Sequence, residues 1–155
     1  NFIGFICENH SVIMFRNIDK KASFKHYKLK LHETKFLDYY KLYGGNSNST
    51  NIVISEGIFD IFTEHIFDTL NIKDKSNLYS SALSTSFDSL IKSIVFNEQI
   101  FRPDVHILSD QGVELEFYKK LKKFNSYIIN SLSVYYNKNG KDFNDTPIIS
   151  EKFIL

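Results

Sequence analysis

The stretch NIVISEGIFD, residues 51–60, decides how the rest of this chain is read. Asn51 to Ile54 make a short apolar, β-branched run of the kind found in a buried strand. Ser55, Glu56 and Gly57 close that run, and a helical period takes over in Ile58, Phe59, Ile61, Phe62, Ile66 and Leu70. A carboxylate, Glu56, therefore stands at the carboxyl end of a strand, beside a glycine, where a helix begins. In open α/β sheets that edge is where ligands bind. Asp60 follows in the first helical turn. Alone, the pair has an ordinary reading: Glu56 is a charge in a strand-to-helix loop, and Asp60 is an acid that offsets the helix dipole. Two later segments shift the weight away from it.

Downstream, residues 78–82 (LYSSA) read as a short strand, and Ser84, Thr85 and Ser86 cap a helix over about 86–98. Its apolar face is Phe87, Leu90, Ile91, Ile94 and Val95. Residues 105–108 (VHIL) form an apolar strand that Ser109 to Gly112 terminate. Val113 to Phe124 reads as a helix with Val113, Phe117, Leu121 and Phe124 inward and Lys119, Lys120, Lys122 and Lys123 outward. Residues 127–136 (YIINSLSVYY) end in a further strand, followed by the polar loop NKNGKDFND. The order β-α-β-α-β-α-β predicts an α/β fold: a doubly wound, mostly parallel four-stranded sheet with flanking helices.

Upstream, residues 2–6 and 11–16 read as two strands joined by a turn. FKHYKLKL, residues 24–31, alternates with period two, a half-exposed strand. Its basic side gathers Lys28 and Lys30 with Arg16, Lys20, Lys21 and Lys25. That side reads equally as a solvated face or as a phosphate-contacting surface with Tyr27 available for base stacking. Residues 32–43 form a short helix or an irregular segment ending in Tyr39, Tyr40 and Tyr43. GGNSNST, residues 44–50, breaks the chain. The expected organisation is a basic, β-rich subdomain over 1–45, a linker at 46–50, the main domain over 51–146 and an extension over 147–155.

Composition narrows the function classes. The 155 residues suit one domain with a small subdomain, and 15 Phe and 9 Tyr allow a sizeable core. A net charge of +1 gives no protein-wide field for nucleic acid, so any such surface is local. The single cysteine, Cys7, excludes an internal disulfide and a multi-cysteine zinc site within this chain, and fits a reducing compartment such as the cytoplasm. No apolar run approaches the roughly 20 residues of a membrane helix, so no membrane partner is expected. A chain that opens on Asn1 rather than Met is expected to be a piece of something longer. The five histidines show no ligand spacing, and His106, inside an apolar strand, reads as a hydrogen-bonded core residue.

Three acidic groups fall at equivalent places in this order. Glu56 follows the first strand of the series, Asp110 the third, and Asp142 and Asp145, with Asn144 between them, the last. In a parallel sheet all three emerge on one edge. Carboxylates gathered without basic partners repel one another, which costs stability unless a cation sits among them. Hard oxygen ligands with open positions suit Mg²⁺ or Mn²⁺. Such ions neutralise phosphate charge and position an attacking oxygen in phosphoryl transfer. Singly, each acid reads as a solvated loop residue; together they point to a metal-dependent site.

On these motifs the main domain resembles a Toprim domain, the fold shared by bacterial-type primases, type IA and type II topoisomerases and OLD-family nucleases. Glu56, Gly57 and Asp60 are similar to its first motif. SALSTS, residues 81–86, resembles the small-residue turn after the second strand in primases. HILSDQG, residues 106–112, stands in the place of the second motif, normally Asp-x-Asp. GKDFND, residues 140–145, resembles the primase form of the closing motif, often Gly-x-Asp-x-Asp. The resemblance covers about residues 51–146, and the upstream IGFI, IMFRN and KHYKL segments resemble the subdomain that precedes Toprim in primase cores.

The resemblance implies a DNA primase catalytic core of phage or mobile-element replication. Such a core joins ribonucleoside triphosphates into primers on a single-stranded DNA template with Mg²⁺ or Mn²⁺, and has a replicative helicase as a further partner. It implies catalytic roles for Glu56 and Asp60, metal binding by Glu56, Asp110, Asp142, Asn144 and Asp145, and nucleotide or nucleic-acid contacts by Arg16, Lys25, Tyr27, Lys28 and Lys141. Two departures remove negative charge from the metal site: Gly112 stands where the second motif has its second Asp, and Asn144 where the closing motif often has one. Glu114, two residues after Gly112, is the candidate substitute. A Toprim nuclease and a catalytically degenerate nucleic-acid-binding module are the alternatives.

Overall fold

The computed structural model describes residues 1–19, 21–42, 50–71, 76–81 and 86–155, with only the backbone of Ser76 and Ser81. Strands β1 (Phe2–Ile6), β2 (Val12–Asn17) and β3 (His26–Lys30) form an antiparallel sheet in that order. The chain continues through β4 (Tyr39–Leu42), β5 (Asn51–Ser55), α1 (Ile58–Phe67), β6 (Ser76–Ser81), α2 (Phe87–Glu98), β7 (Asp104–Ser109), α3 (Leu115–Phe124), β8 (Ser131–Asn137) and β9 (Ser150–Ile154). The last six strands make one sheet in the order β4-β6-β5-β7-β8-β9. Its four middle strands are mutually parallel, and the two edge strands run antiparallel to their neighbours.

The molecule is thus a mixed α/β protein with a mostly parallel sheet, flanking helices and a small antiparallel sheet. Among the described residues the main sheet has six strands rather than four. Both additions come from outside residues 51–146: β4 lies within the segment expected to belong to the N-terminal subdomain, and β9 within the C-terminal extension. Each covers an edge whose backbone groups would otherwise lack partners. Where a helix or irregular segment was expected over 32–43, the chain is irregular and then extended as β4. The break at 44–50 and the turn at 81–86 fall mostly on residues 43–49 and 82–85, outside the described residues, as does Lys20.

Pleating divides the core into two layers. Ile52 and Ile54 of β5, with Val105, Ile107, Leu132, Val134 and Tyr136, pack under Phe87, Leu90, Ile91 and Ile94 of α2 and Tyr118 and Leu121 of α3. On the other face Val53, Leu78, Leu108 and Tyr135 pack with Ile58 and Ile61 of α1. The first helix therefore lies opposite the other two, as right-handed crossovers require when the strand order reverses. The reversal falls at β5, where the chain first steps to β6 and later returns to β7 on the other side.

Two local expectations are corrected. β3 is exposed at all five positions rather than on alternate ones, because it is the edge of its small sheet. In α3 the inward residues are Tyr118 and Leu121, whereas Val113, Phe117 and Phe124 are exposed. Tyr118 takes the buried place because its hydroxyl reaches the Ser109 Oγ at 2.6 Å.

Several contacts fasten the small sheet to the rest of the molecule, two of them central. The buried Asp38 carboxylate accepts the Asn9, Ser11 and Tyr39 backbone N–H groups and the Ser11 hydroxyl, tying the β1–β2 turn to β4. Phe5 packs against Phe59 and Phe62 of α1, with ring centroids 6.0 and 5.8 Å away. Among the described residues no helix is long and apolar enough to cross a membrane.

Candidate active site at the carboxyl edge of the sheet

The parallel strands β5, β7 and β8 end at Ser55, Ser109 and Asn137. Ser55 pairs with Leu108, and Ser109 with Tyr136, so the residues that follow emerge on one edge. Glu56 and Asp110 straddle the reversal point between β5 and β7, the crevice where ligands bind in sheets of this kind. The loop after β8 brings Asp142 and Asn144 to the same crevice. Glu56, Asp60, Asp110, Asp142 and Asn144 all line one cleft of ≈ 360 Å³.

The glycine at position 57 has a steric cause. A Cβ on Gly57 would stand 2.7 Å from Asp60 Oδ2, so the bare backbone lets the Asp60 carboxylate fold back over the helix start. Asp60 is only 4% exposed, and its buried Oδ1 has no hydrogen-bond partner among the described residues. Burial, then Asp110 and Asp142, push its carboxyl up to about 7, against the pull of the Gly57 and Asn144 backbone N–H groups. The Glu56 carboxyl is raised by burial and by Asp110, while Lys28 pulls the other way. Asp110 is raised by burial and by Asp142. The peptide around Glu56 is held by the Ser80 hydroxyl, which donates to the Glu56 carbonyl at 3.2 Å.

The closing loop owes its shape to residues that the acidic pattern does not mark. Phe143 is fully buried and anchors the loop between Asp142 and Asn144. Asn137, 1% exposed, donates to the Phe143 and Asp145 carbonyls and accepts the Asn139 and Ile149 N–H groups. Gln111 joins the loop after β7 to the end of β8 and the loop that follows it: its backbone N–H donates to the Lys141 carbonyl and its side chain to the Asn137 carbonyl. An aromatic amid polar neighbours and an Asn ending a strand were the available signals for Phe143 and Asn137.

Over the acids lies the small sheet. Arg16, His26, Tyr27 and Lys28 line the same cleft. The Arg16 guanidinium sits 5.4 Å from the Phe59 ring centroid. Burial lowers the Lys28 ammonium, while Cys7 and Glu56 pull it back up. Tyr27 stacks on its cross-strand partner Phe15, with ring centroids 4.5 Å apart. The cleft therefore has an acidic floor and a cationic, aromatic roof.

Several expected residues stand elsewhere. Asp145 does not line the cleft; its Oδ2 accepts the Lys141 and Asp142 N–H groups and closes the loop. Lys25 and Lys141 do not line it either, although the Lys141 charge lowers the Asp110 carboxyl. Glu114 is the exposed N-cap of α3 and is absent from the lining. Gly112 has φ +96°, a conformation that strains an L-residue, so an aspartate there would require a different backbone. His106 is the hydrogen-bonded core residue expected, 3.1 Å from the Tyr135 hydroxyl, and burial lowers it to about 4.

The donor chemistry fits a hard divalent cation: carboxylates, an amide oxygen and one orphaned buried oxygen, Asp60 Oδ1. Among the described residues no three His, Cys, Asp or Glu side chains are already converged on a common metal position. The fold and cleft define an α/β protein with an acidic crevice at the carboxyl edge of its sheet. No protein-family model matches the chain, and neither a curated protein nor a solved structure matches it.

Proposed function

We propose that this chain is the catalytic core of a Toprim-type DNA primase, joining ribonucleotides on a single-stranded DNA template in the cleft between the small sheet and the acidic edge. The observation that carries this reading is that acids and cations face each other across one cleft. That arrangement suits a ligand which is itself anionic and arrives with a metal ion. A divalent cation held among Glu56, Asp60, Asp110 and Asp142 would neutralise phosphate charge during transfer. Arg16 and Lys28 bind and orient the triphosphate from above. Glu56 stands exposed at the mouth of the crevice, where it accepts the proton of the 3′ hydroxyl as that oxygen attacks the α-phosphate and pyrophosphate leaves. Phe59 and Phe15 exclude water from one wall.

The test is one incubation of the protein with labelled ribonucleotides, differently labelled single-stranded DNA and Mn²⁺, with Glu56→Gln alongside. New oligoribonucleotides from the unmodified protein alone support the primase reading, and Glu56→Gln should lower the yield at least about 100-fold. Shortened DNA would instead make the site that of a nuclease. A second reading, a module that binds nucleic acid without turning it over, is favoured by Gly112 and by the unconverged acids. Binding of DNA with no Mn²⁺ binding and no product would establish it.

A further inference from the structure

Glu56 and Asp110 line more than the cleft already described. On the α2 and α3 side of the sheet they also border a second groove, of ≈ 620 Å³. Its lining among the described residues includes Phe87, Val113, Phe117, Lys120 and Phe124. Two grooves of different character therefore meet at the same two carboxylates. A reaction that joins two substrates needs that geometry, because each must reach the reacting centre from its own side.

The second groove has the chemistry of a base-stacking surface. Phe117 is 47% and Phe124 75% exposed, although helical spacing alone would place both in the core. With Lys120 they occupy one stripe of α3, at i, i+3 and i+7. Exposed aromatic rings interleaved with a cation bind single-stranded nucleic acid, the rings stacking on bases and the cation meeting the backbone. Among the described residues the acid that α2 brings into the groove, Asp88, is paired with Lys92 at 2.7 Å. Charge decides which substrate goes where. The first cleft carries Arg16 and Lys28 and suits the multiply charged triphosphate, whereas the second offers Lys120 to the single charge that each nucleotide of a strand carries.

We propose that the groove between α2 and α3 holds the 3′-terminal nucleotide of the strand being extended, its base stacked on Phe117 and Phe124 and its phosphate against Lys120. The terminal 3′ hydroxyl then lies at the Glu56 and Asp110 end. This rests on the nucleotidyl-transfer reading of the acidic edge and adds the disposition of the second substrate.

The probe is an oligonucleotide bearing 5-iodouracil at its 3′ terminus, compared with one bearing it at the 5′ terminus. Irradiated with the protein, the 3′ probe should crosslink to the 115–124 helix, and the 5′ probe should not. Phe117→Ala should weaken oligonucleotide binding roughly 5- to 100-fold, with Phe117→Tyr close to the unmodified protein. Nucleoside triphosphate affinity should be unchanged in both variants and should fall in Arg16→Ala. Because Phe117 and Phe124 are exposed, the fold should survive, and circular dichroism checks it. A 3′ crosslink confined to β2 or β3, or unchanged oligonucleotide affinity in a Phe117→Ala, Phe124→Ala double variant, would overturn the placement while leaving the proposed activity standing. Failure of the unmodified protein to bind the oligonucleotide would overturn both.

Discussion

Replacing Asp60 by Asn should stabilise the metal-free protein at pH 8 and leave it nearly unchanged at pH 4. Asp60 is 4% exposed, and its carboxyl is raised from 3.8 to about 7 by burial and by the nearby Asp110 and Asp142. A carboxyl with a higher pKa folded than unfolded takes up a proton on folding, so its contribution is most favourable at low pH and declines as pH rises from about 3.8 to about 7. At about 1.4 kcal/mol for each pH unit between those values, the loss amounts to roughly 4 kcal/mol. The unmodified protein masks it. His106, lowered from 6.5 to about 4, contributes stability that is lost as pH falls through nearly the same window, so the two trends oppose. The difference between Asp60→Asn and the unmodified protein cancels the histidine and exposes the carboxylate alone. Urea denaturation in EDTA from pH 4 to pH 8 measures it. The difference should climb with pH to a few kcal/mol in favour of the variant. A flat difference, or one of opposite sign, would refute the argument that Asp60 is buried against like charge. Added Mn²⁺ should reverse the ranking at pH 8, because the variant lacks one of the four carboxylates proposed to hold the cation and gains less from it.

Other perturbations test how the site is held. Asn137→Ala removes four hydrogen bonds from a residue 1% exposed and should cost roughly 2–4 kcal/mol, read in urea denaturation. A loss below about 0.5 kcal/mol would mean that the closing loop does not depend on it. Gly57→Ala places a methyl 2.7 Å from Asp60 Oδ2 and should cost about 1–2 kcal/mol. In an Asp60→Ala background the same change should be nearly neutral, and additive costs would contradict the close approach. Asp38→Ala takes the carboxylate from the donors of Asn9, Ser11 and Tyr39, of which Ser11 and Tyr39 are buried, and should cost about 3 kcal/mol. Limited proteolysis should then cut between β2 and β3 faster than in the unmodified protein; equal rates would place the fastening of the small sheet elsewhere.

Glu56 and Asp110 are joined in the first cleft by three groups that answer to different parts of the chain. Gly57 and Asp60 are local, since a helix start brings residues three apart together. Asp142 and Asn144 arrive through a loop whose shape depends on Asn137 and the buried Phe143. Arg16 and Lys28 arrive with a separate sheet. Disturbing any one of these supports should alter the cleft without touching a carboxylate.

The strand and helix periods, and the acids that follow β5, β7 and β8, were legible in the sequence because local burial writes them there. A β-branched run is buried on both faces in a parallel sheet, and a helix repeats its apolar residues every third or fourth position. Parallel strands then carry their following loops to one edge whatever lies between. The six-stranded sheet was not legible, since β4 and β9 are short and mixed in polarity, and β4 pairs with a strand remote in the chain. Nor was the division between acids that line the cleft and Asp145, which closes its own loop through hydrogen bonds. The outward turn of Phe117 and Phe124 likewise follows from the Tyr118 hydroxyl finding Ser109 in the core. Which cations face the acids depended on how the small sheet docks through Phe5 on Phe59 and Phe62, a packing of side chains more than fifty residues apart. Contacts at that separation leave no periodic mark in either segment, so only the tertiary structure decides them.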